Sequence, residues 1–256
     1  MKNKFAFLFY IFLIVACNSP VTVDTIEAII TDDAVEGVKL EAPVTADSIK
    51  QSELTKIELA AIDAGLVDIQ TIDSSVVLDL KYATENNFIG VNMYGNFNKC
   101  YLLPEVAQKI KNAQTLLRKK FPYYSLIIYD GARPKSIQYK MWTLLDMPHF
   151  EKLKYVSNPE SGSLHNYGAA VDISIIDANG YELDMGTPYD YFGDLAYPKE
   201  EERLLKEGKL TVKQLNNRLI LREIMEISGF MPITTEWWHF NFCTKKEAAE
   251  KYTCLE

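Results

Sequence analysis

Two segments constrain this fold more than any others: Ser163-Leu164-His165-Asn166-Tyr167-Gly168-Ala169-Ala170-Val171-Asp172 and, far downstream, Glu236-Trp237-Trp238-His239. The chain has three histidines, and two of them stand in these segments beside acidic residues. Imidazole and carboxylate groups are ligands for zinc, and a catalytic zinc keeps one position open for water. For His165, Asp172 and His239 to meet one Zn2+ ion, the fold must bring the two segments to a common point. His165 and Asp172 are separated by a glycine, Gly168, that can turn the chain. Glu236 and His239 are three apart, and such residues point to opposite faces of a regular strand. Both can face one ion only where the strand is twisted, bulged or ending. Each residue alone has a plainer reading, His165 as a turn cap and Asp172 as a backbone acceptor, and core packing is expected of at least one of Trp237 and Trp238. His149, beside Pro148, has only the plain reading.

The N-terminus sets a second constraint. Lys2 and Lys4 precede an apolar run from Phe5 to Ala16, too short to span a bilayer comfortably, and Cys17 follows. Ile14-Val15-Ala16-Cys17 resembles a bacterial lipobox. Residues 1–16 are therefore expected to be a lipoprotein signal peptide and Cys17 the lipidated first residue of a membrane-anchored chain. Between Asn18 and Gly65 there are ten acidic residues against three lysines, so much of the net charge of −8 lies in this stretch. Residues 17–65 read as a flexible acidic tether, with a short helix expected within Ser52–Ala64, and as a coil it would reach on the order of 40 Å. This charge balance argues against a nucleic-acid partner, which would need a basic face. Cys100, Cys243 and Cys254 remain; Cys243 and Cys254 are nearest in sequence, but a disulfide and buried free thiols fit equally well.

The folded domain is expected over 66–256. Val76 to Leu80 reads as a strand and Pro104 to Lys120 as a helix with Val106, Ile110, Ala113 and Leu117 on one stripe. A buried strand at Ser125–Tyr129 leads into the tight Asp130-Gly131-Ala132-Arg133-Pro134 turn and a helix from about Lys135 to Leu145. A strand over Ala169–Ile176 ends in the Asp177-Ala178-Asn179-Gly180 turn, and a long helix from Val212 to Ser228 has Leu215, Leu219, Arg222 and Met225 in register before Gly229. The Glu236 segment leads a final aromatic strand. No βαβ rhythm is evident, so the expected class is α+β, a small antiparallel sheet flanked by helices. Asp130, Gly131 and Pro134 fix the direction of Arg133, which could meet a developing oxyanion. Asp190, after Met185-Gly186-Thr187-Pro188-Tyr189, reads by itself as a surface-loop carboxylate.

Together, Ser163-x-His165-x-x-Gly168-x-Ala170-x-Asp172 and Glu236-x-x-His239 resemble the zinc D,D-peptidase superfamily of peptidoglycan enzymes. Tyr82-Ala83-Thr84-x-x-Asn87-Phe88, the Arg133 turn, Met185-Gly186 with Asp190, and Ser228-Gly229-Phe230 narrow the resemblance to the D-alanyl-D-alanine dipeptidases, the type used in vancomycin resistance. That resemblance implies His165, Asp172 and His239 as zinc ligands, Glu236 as catalytic base and Arg133 as stabiliser of the tetrahedral intermediate. It also implies Asp190 as partner of the substrate's free ammonium, with Tyr82 and Ser163 lining the same pocket. A carboxylate that demands a free N-terminus would make the enzyme measure length. The expected substrate is then a small D,D-dipeptide. The alternatives are a D,D-carboxypeptidase trimming longer stem peptides, and a wall-binding lipoprotein with the zinc fold but no catalysis. Ala132 stands where the resistance enzymes tend to carry tyrosine, a change expected to widen the pocket. Those enzymes act in the cytoplasm, whereas a lipoprotein would act outside it.

Overall fold

The computed structural model describes residues 55–153 and 155–256; the expected signal segment, Cys17 and nearly all of the tether lie outside them. The first described helix, α1 (Lys56–Asp63), begins at a capping box in which Thr55 Oγ1 accepts from the Glu58 amide and Glu58 Oε2 from the Thr55 amide. It buries Ala61 completely in the main core, so packed structure begins ahead of Leu66. Then come β1 (Val67–Asp68), α2 (Ile69–Ile72), β2 (Val77–Leu78), β3 (Tyr101–Leu102), α3 (Pro104–Lys120), β4 (Ser125–Asp130), α4 (Lys135–Leu144) and α5 (His149–Lys152). The second half holds β5 (Ala170–Ile176), α6 (Glu201–Lys206), α7 (Val212–Ile227), β6 (Met231–Pro232), β7 (His239–Asn241) and α8 (Lys245–Lys251).

The class is α+β, as expected. Five strands form one sheet in the order β2-β4-β5-β7-β6, and β1 pairs β3 in a separate ribbon. Every pairing in the larger sheet is antiparallel except β2 with β4, which is parallel. That one crossover, through α3, departs from the expected antiparallel sheet. It leaves little trace in sequence because β2 is two residues long and a long irregular stretch separates it from α3. β4 and β5 form the centre of the sheet, and Leu126, Ile128, Val171, Ile173 and Ile175 are all fully buried. The α3 stripe packs as its spacing predicts, with Val106, Ile110, Ala113 and Leu117 each 0% exposed. Burying each of its larger side chains contributes about 1.5–3 kcal/mol.

α7 corrects the sequence reading. Its inward face is Asn217, Arg218, Leu221, Ile224 and Met225, whereas Leu219 is 44% exposed. The apolar period misleads here because two inward positions are polar and bind loop carbonyls. Asn217 Nδ2 donates to Asp184 O, and Arg218 donates through Nε to Met185 O and through Nη2 to Leu195 O. A buried guanidinium is tolerable only with such partners, and Glu201 Oε1 adds a carboxylate 3.5 Å from its Nη1. Cys100, Cys243 and Cys254 are free thiols.

Candidate metal centre

The sheet register builds the centre. Asp130 on β4 lies opposite Asp172 on β5, and Asp172 lies opposite His239 on β7. His165 reaches the same row from a 3-10 turn, Leu164–Tyr167, whose N-terminus is capped by Ser163. Gly168 then redirects the chain into β5 with φ of +63°, and a Cβ there would lie 3.1 Å from Leu66 and 3.2 Å from the Leu103 amide. Glu236 precedes β7, which starts at His239, so the three-residue spacing meets no strand alternation. Glu236 Oε2 lies 3.9 Å from His239 Nδ1.

The donor set fits a tetrahedral cation. One ligand atom from each of His165, Asp172 and His239 lies within 4.8 Å of the others. His165 Nε2 is 3.2 Å from His239 Nδ1 and 3.5 Å from Asp172 Oδ1, and His239 Nδ1 is 2.9 Å from that same oxygen. Metal–ligand bonds of about 2.0–2.1 Å arranged tetrahedrally separate ligand atoms by roughly 3.3 Å. The outer nitrogens are also engaged: His165 Nδ1 lies 2.8 Å from Gly131 O and His239 Nε2 lies 2.8 Å from Asn241 Oδ1. Neutral rings that donate to those oxygens aim their remaining lone pairs at each other and at a carboxylate, an arrangement that needs a positive charge between them. Burial works against a proton on His239, but the hydrogen bond and charge of Asp172, helped by Glu236, hold its pKa up at about 9. Asp172, against its burial, is held well below the usual carboxylate range by His165 and His239.

A second group of side chains, in and behind the wall of the same cleft, adjoins the metal ligands; the cleft has a volume of about 380 Å³. Asp130 is fully buried; its Oδ2 accepts from Arg133 Nε at 2.8 Å and makes an ion-pair contact with Arg133 Nη2 at 2.8 Å, while Tyr94 Oη donates to Oδ1 at 2.6 Å. Arg133 is thereby fixed over the Tyr82 ring, 5.0 Å from its centroid, with Nη2 3.9 Å from Asp172 Oδ2. Tyr82 Oη donates to Asp190 Oδ2 at 3.0 Å, and Tyr189 Oη lies 2.9 Å from Asp172 Oδ2 and 3.2 Å from Tyr82 Oη.

Asp190 is the only non-glycine residue with a left-handed backbone among the described residues, at φ of +57°. Such strain marks a side chain whose direction the surroundings dictate. Burial, then the negative charge of Asp172, push its pKa well above the ordinary value. An ammonium group would relieve that cost. Burial also raises Glu236, although His239 opposes the shift. Ser163 lines the cleft and accepts the His165 amide through Oγ at 3.3 Å.

The structure thus gathers His165, Asp172, His239, Glu236, Arg133, Asp190, Tyr82 and Ser163 around one cleft. Cys17 lies outside the described residues. His149 stands apart, its ring against Trp142. Ala132 is buried in the core. Both tryptophans pack in the core, and Trp237 Nε1 also donates to Thr187 Oγ1 at 2.7 Å, tying the loop that carries Asp190 to the segment that carries Glu236. Sequence reasoning passed over Tyr189 and Asn241. Asn241 had a signal, since it stands two residues from His239 and shares its strand face; Tyr189 had none.

Residues 62–256 match the peptidase family described as D-ala-D-ala dipeptidase. A protein named D-alanyl-D-alanine dipeptidase from Escherichia coli (strain K12) is 30% identical over 193 residues, 74% of this chain and 92% of that protein. Its namesake from Enterococcus faecalis (strain ATCC 700802 / V583) is 28% identical over 193 residues, 70% and 92% of the two chains. Another of that name, from Synechocystis sp. (strain ATCC 27184 / PCC 6803 / Kazusa), is 32% identical over 164 residues, 53% and 66% of the two chains. With the family match spanning the folded chain and a His/Asp/His metal site at its centre, this protein belongs to the D-ala-D-ala dipeptidase family and is a metallopeptidase.

Proposed function

We propose that the protein is a zinc dipeptidase that hydrolyses D-Ala-D-Ala to two D-alanines, acting outside the cytoplasm in the turnover of cell-wall peptides. The observation that carries this reading is the placement of Glu236 and Asp190 in the cleft that holds the His/Asp/His centre. Two imidazoles and a carboxylate suit zinc, which when bound supplies Lewis acidity, polarising the scissile carbonyl and acidifying the attacking water. Glu236 removes the water's proton and delivers it to the leaving D-alanine nitrogen as the C–N bond breaks. A raised pKa suits a group that must first accept and then give that proton. Arg133, fixed by Asp130, faces the oxygen on which charge develops. Asp190, with Tyr82, binds the substrate's ammonium and closes that end to peptides extended at the N-terminus. The relatives' names support the same substrate.

Hydrolysis of free D-Ala-D-Ala, but not of a stem pentapeptide ending in the same two residues, by the zinc-loaded domain is the expected result. Cleavage of the pentapeptide would move the protein to the D,D-carboxypeptidases. Metal binding without turnover of either substrate would favour a non-catalytic wall-binding role, against which the presence of Glu236 and Arg133 argues. The extracytoplasmic, lipid-anchored location is proposed from Ile14-Val15-Ala16-Cys17. Labelled palmitate should enter the wild-type chain and not Cys17→Ala, and recovery of the mature protein in the cytosol would sink this part of the reading.

A further inference from the structure

A free dipeptide is a zwitterion, and the cleft as described answers only one of its ends. Asp172, Asp190 and Glu236 supply negative charge, while apart from the histidines the cationic side chains lining the cleft are Arg133 and Lys245. Arg133 is already committed: two of its nitrogens bind Asp130, and its plane lies over Tyr82, whose hydroxyl serves Asp190. Lys245 differs. It is exposed, and among the described residues no carboxylate lies within 4.0 Å of its Nζ. Its one polar contact is a donated hydrogen bond of 2.8 Å to Gly162 O. An ammonium carries three N–H donors, so the others remain available.

The location matches the charge. Gly162 immediately precedes Ser163, the cap of the turn that presents His165, and Lys245 opens α8 directly after the β7 segment that holds His239 and Asn241. Lys245 therefore stands on the stretch of wall built by the His165 and His239 segments, while Tyr82 and Asp190, bonded to each other, line another stretch. A dipeptide with its ammonium on Asp190 and its carbonyl at the metal centre must send its carboxylate elsewhere along the cleft.

Building on the dipeptidase reading, we propose that Lys245 is a specificity-determining residue that pairs with the substrate's C-terminal carboxylate, so that the cleft reads both charged ends of a free dipeptide.

The test compares D-Ala-D-Ala with its C-terminal amide, using the zinc-loaded wild type, Lys245→Met and Lys245→Arg, with zinc content and melting temperature measured alongside. Methionine keeps the unbranched stem and removes the ammonium, its charge and its bond to Gly162 O together. Because the pair is partly solvated, Lys245→Met should raise KM for the free acid by roughly two- to fivefold, with kcat held at the wild-type value. It should leave KM for the amide unchanged, and Lys245→Arg should restore most of the loss. Added salt should raise the wild-type KM for the acid and lose that effect in Lys245→Met. Equal changes for acid and amide, or none for either, would overturn the role of Lys245 while leaving the dipeptidase reading intact. A wild-type protein that cleaves neither compound would overturn that reading, and this proposal with it.

Discussion

The two ends of the cleft are built by different means. At the metal end, Asp172 and His239 face each other across adjacent central strands, and Asp130 completes the row. Backbone hydrogen bonds fix these positions, and each imidazole is further held by an oxygen on its outer nitrogen. At the Asp190 end, Tyr82 stands on a 3-10 turn and Asp190 in a loop with a strained backbone, and side chains from other elements hold that loop. Those holds are Asn217 and Arg218 on loop carbonyls and Trp237 on Thr187. The metal end is thus fixed by the sheet and the Asp190 end by a few removable contacts. Chemistry and substrate choice should be separable by mutation.

The largest effect should fall on chemistry alone. Glu236→Gln should lower kcat by about 10²- to 10⁴-fold, while metal content measured by atomic absorption stays at the wild-type value. Loss of metal from this variant would mean that Glu236 is part of the metal end and that the division is wrong.

Asp190→Asn should lower kcat/KM for the free dipeptide by 2–5 kcal/mol, roughly 30-fold or more. Its stability should move the other way. A carboxylate whose pKa is pushed up by burial is an unfavourable charge in the folded state, so the neutral side chain should leave the melting temperature unchanged or higher. A fall in melting temperature would make Asp190 a structural residue.

The metal end should also respond to pH in its own way. With His239 raised from 6.5 to about 9, the metal-free fold gains stability from that proton, fully present below about pH 6.5 and lost as pH rises through about 9. A metal needs the neutral ring, so the proton must leave on binding. Apparent metal affinity should therefore climb by about tenfold per pH unit toward pH 9, with close to one proton released near pH 7, measurable by calorimetry in buffers of differing ionisation heat. An affinity flat across that range would show that no proton occupies the centre.

How far the sequence disclosed each end follows from the same contrast. The α3 stripe, the strands at Ser125 and Ala170 and the His165–Asp172 pair obey a period or frame a turn, and all appear where the pattern places them. The awkward spacing of Glu236 and His239 resolves because β7 starts at His239. The α7 stripe was misplaced because Asn217 and Arg218 face inward to bind carbonyls, which no hydropathy period encodes. Asp190 was legible only through family resemblance: its direction depends on one left-handed residue and on contacts from distant elements. Tyr189 was not legible at all, because its role depends on where its hydroxyl arrives between Asp172 and Tyr82.

The finest test of the division is Trp237→Phe. Trp237 is neighbour to Glu236 in sequence, yet its indole N–H serves the Asp190 loop through Thr187. Proximity in sequence predicts a defect in chemistry; the hydrogen bond predicts a defect in binding. Phenylalanine keeps most of the packing and removes a bond contributing about 0.5–1.5 kcal/mol, so KM should rise by roughly two- to tenfold while kcat and metal content hold. Lys245 takes no part in that bond, so Trp237→Phe should affect the free acid and the C-terminal amide of the dipeptide alike. A fall in kcat instead would mean that the contact positions Glu236, and that the two ends share one support.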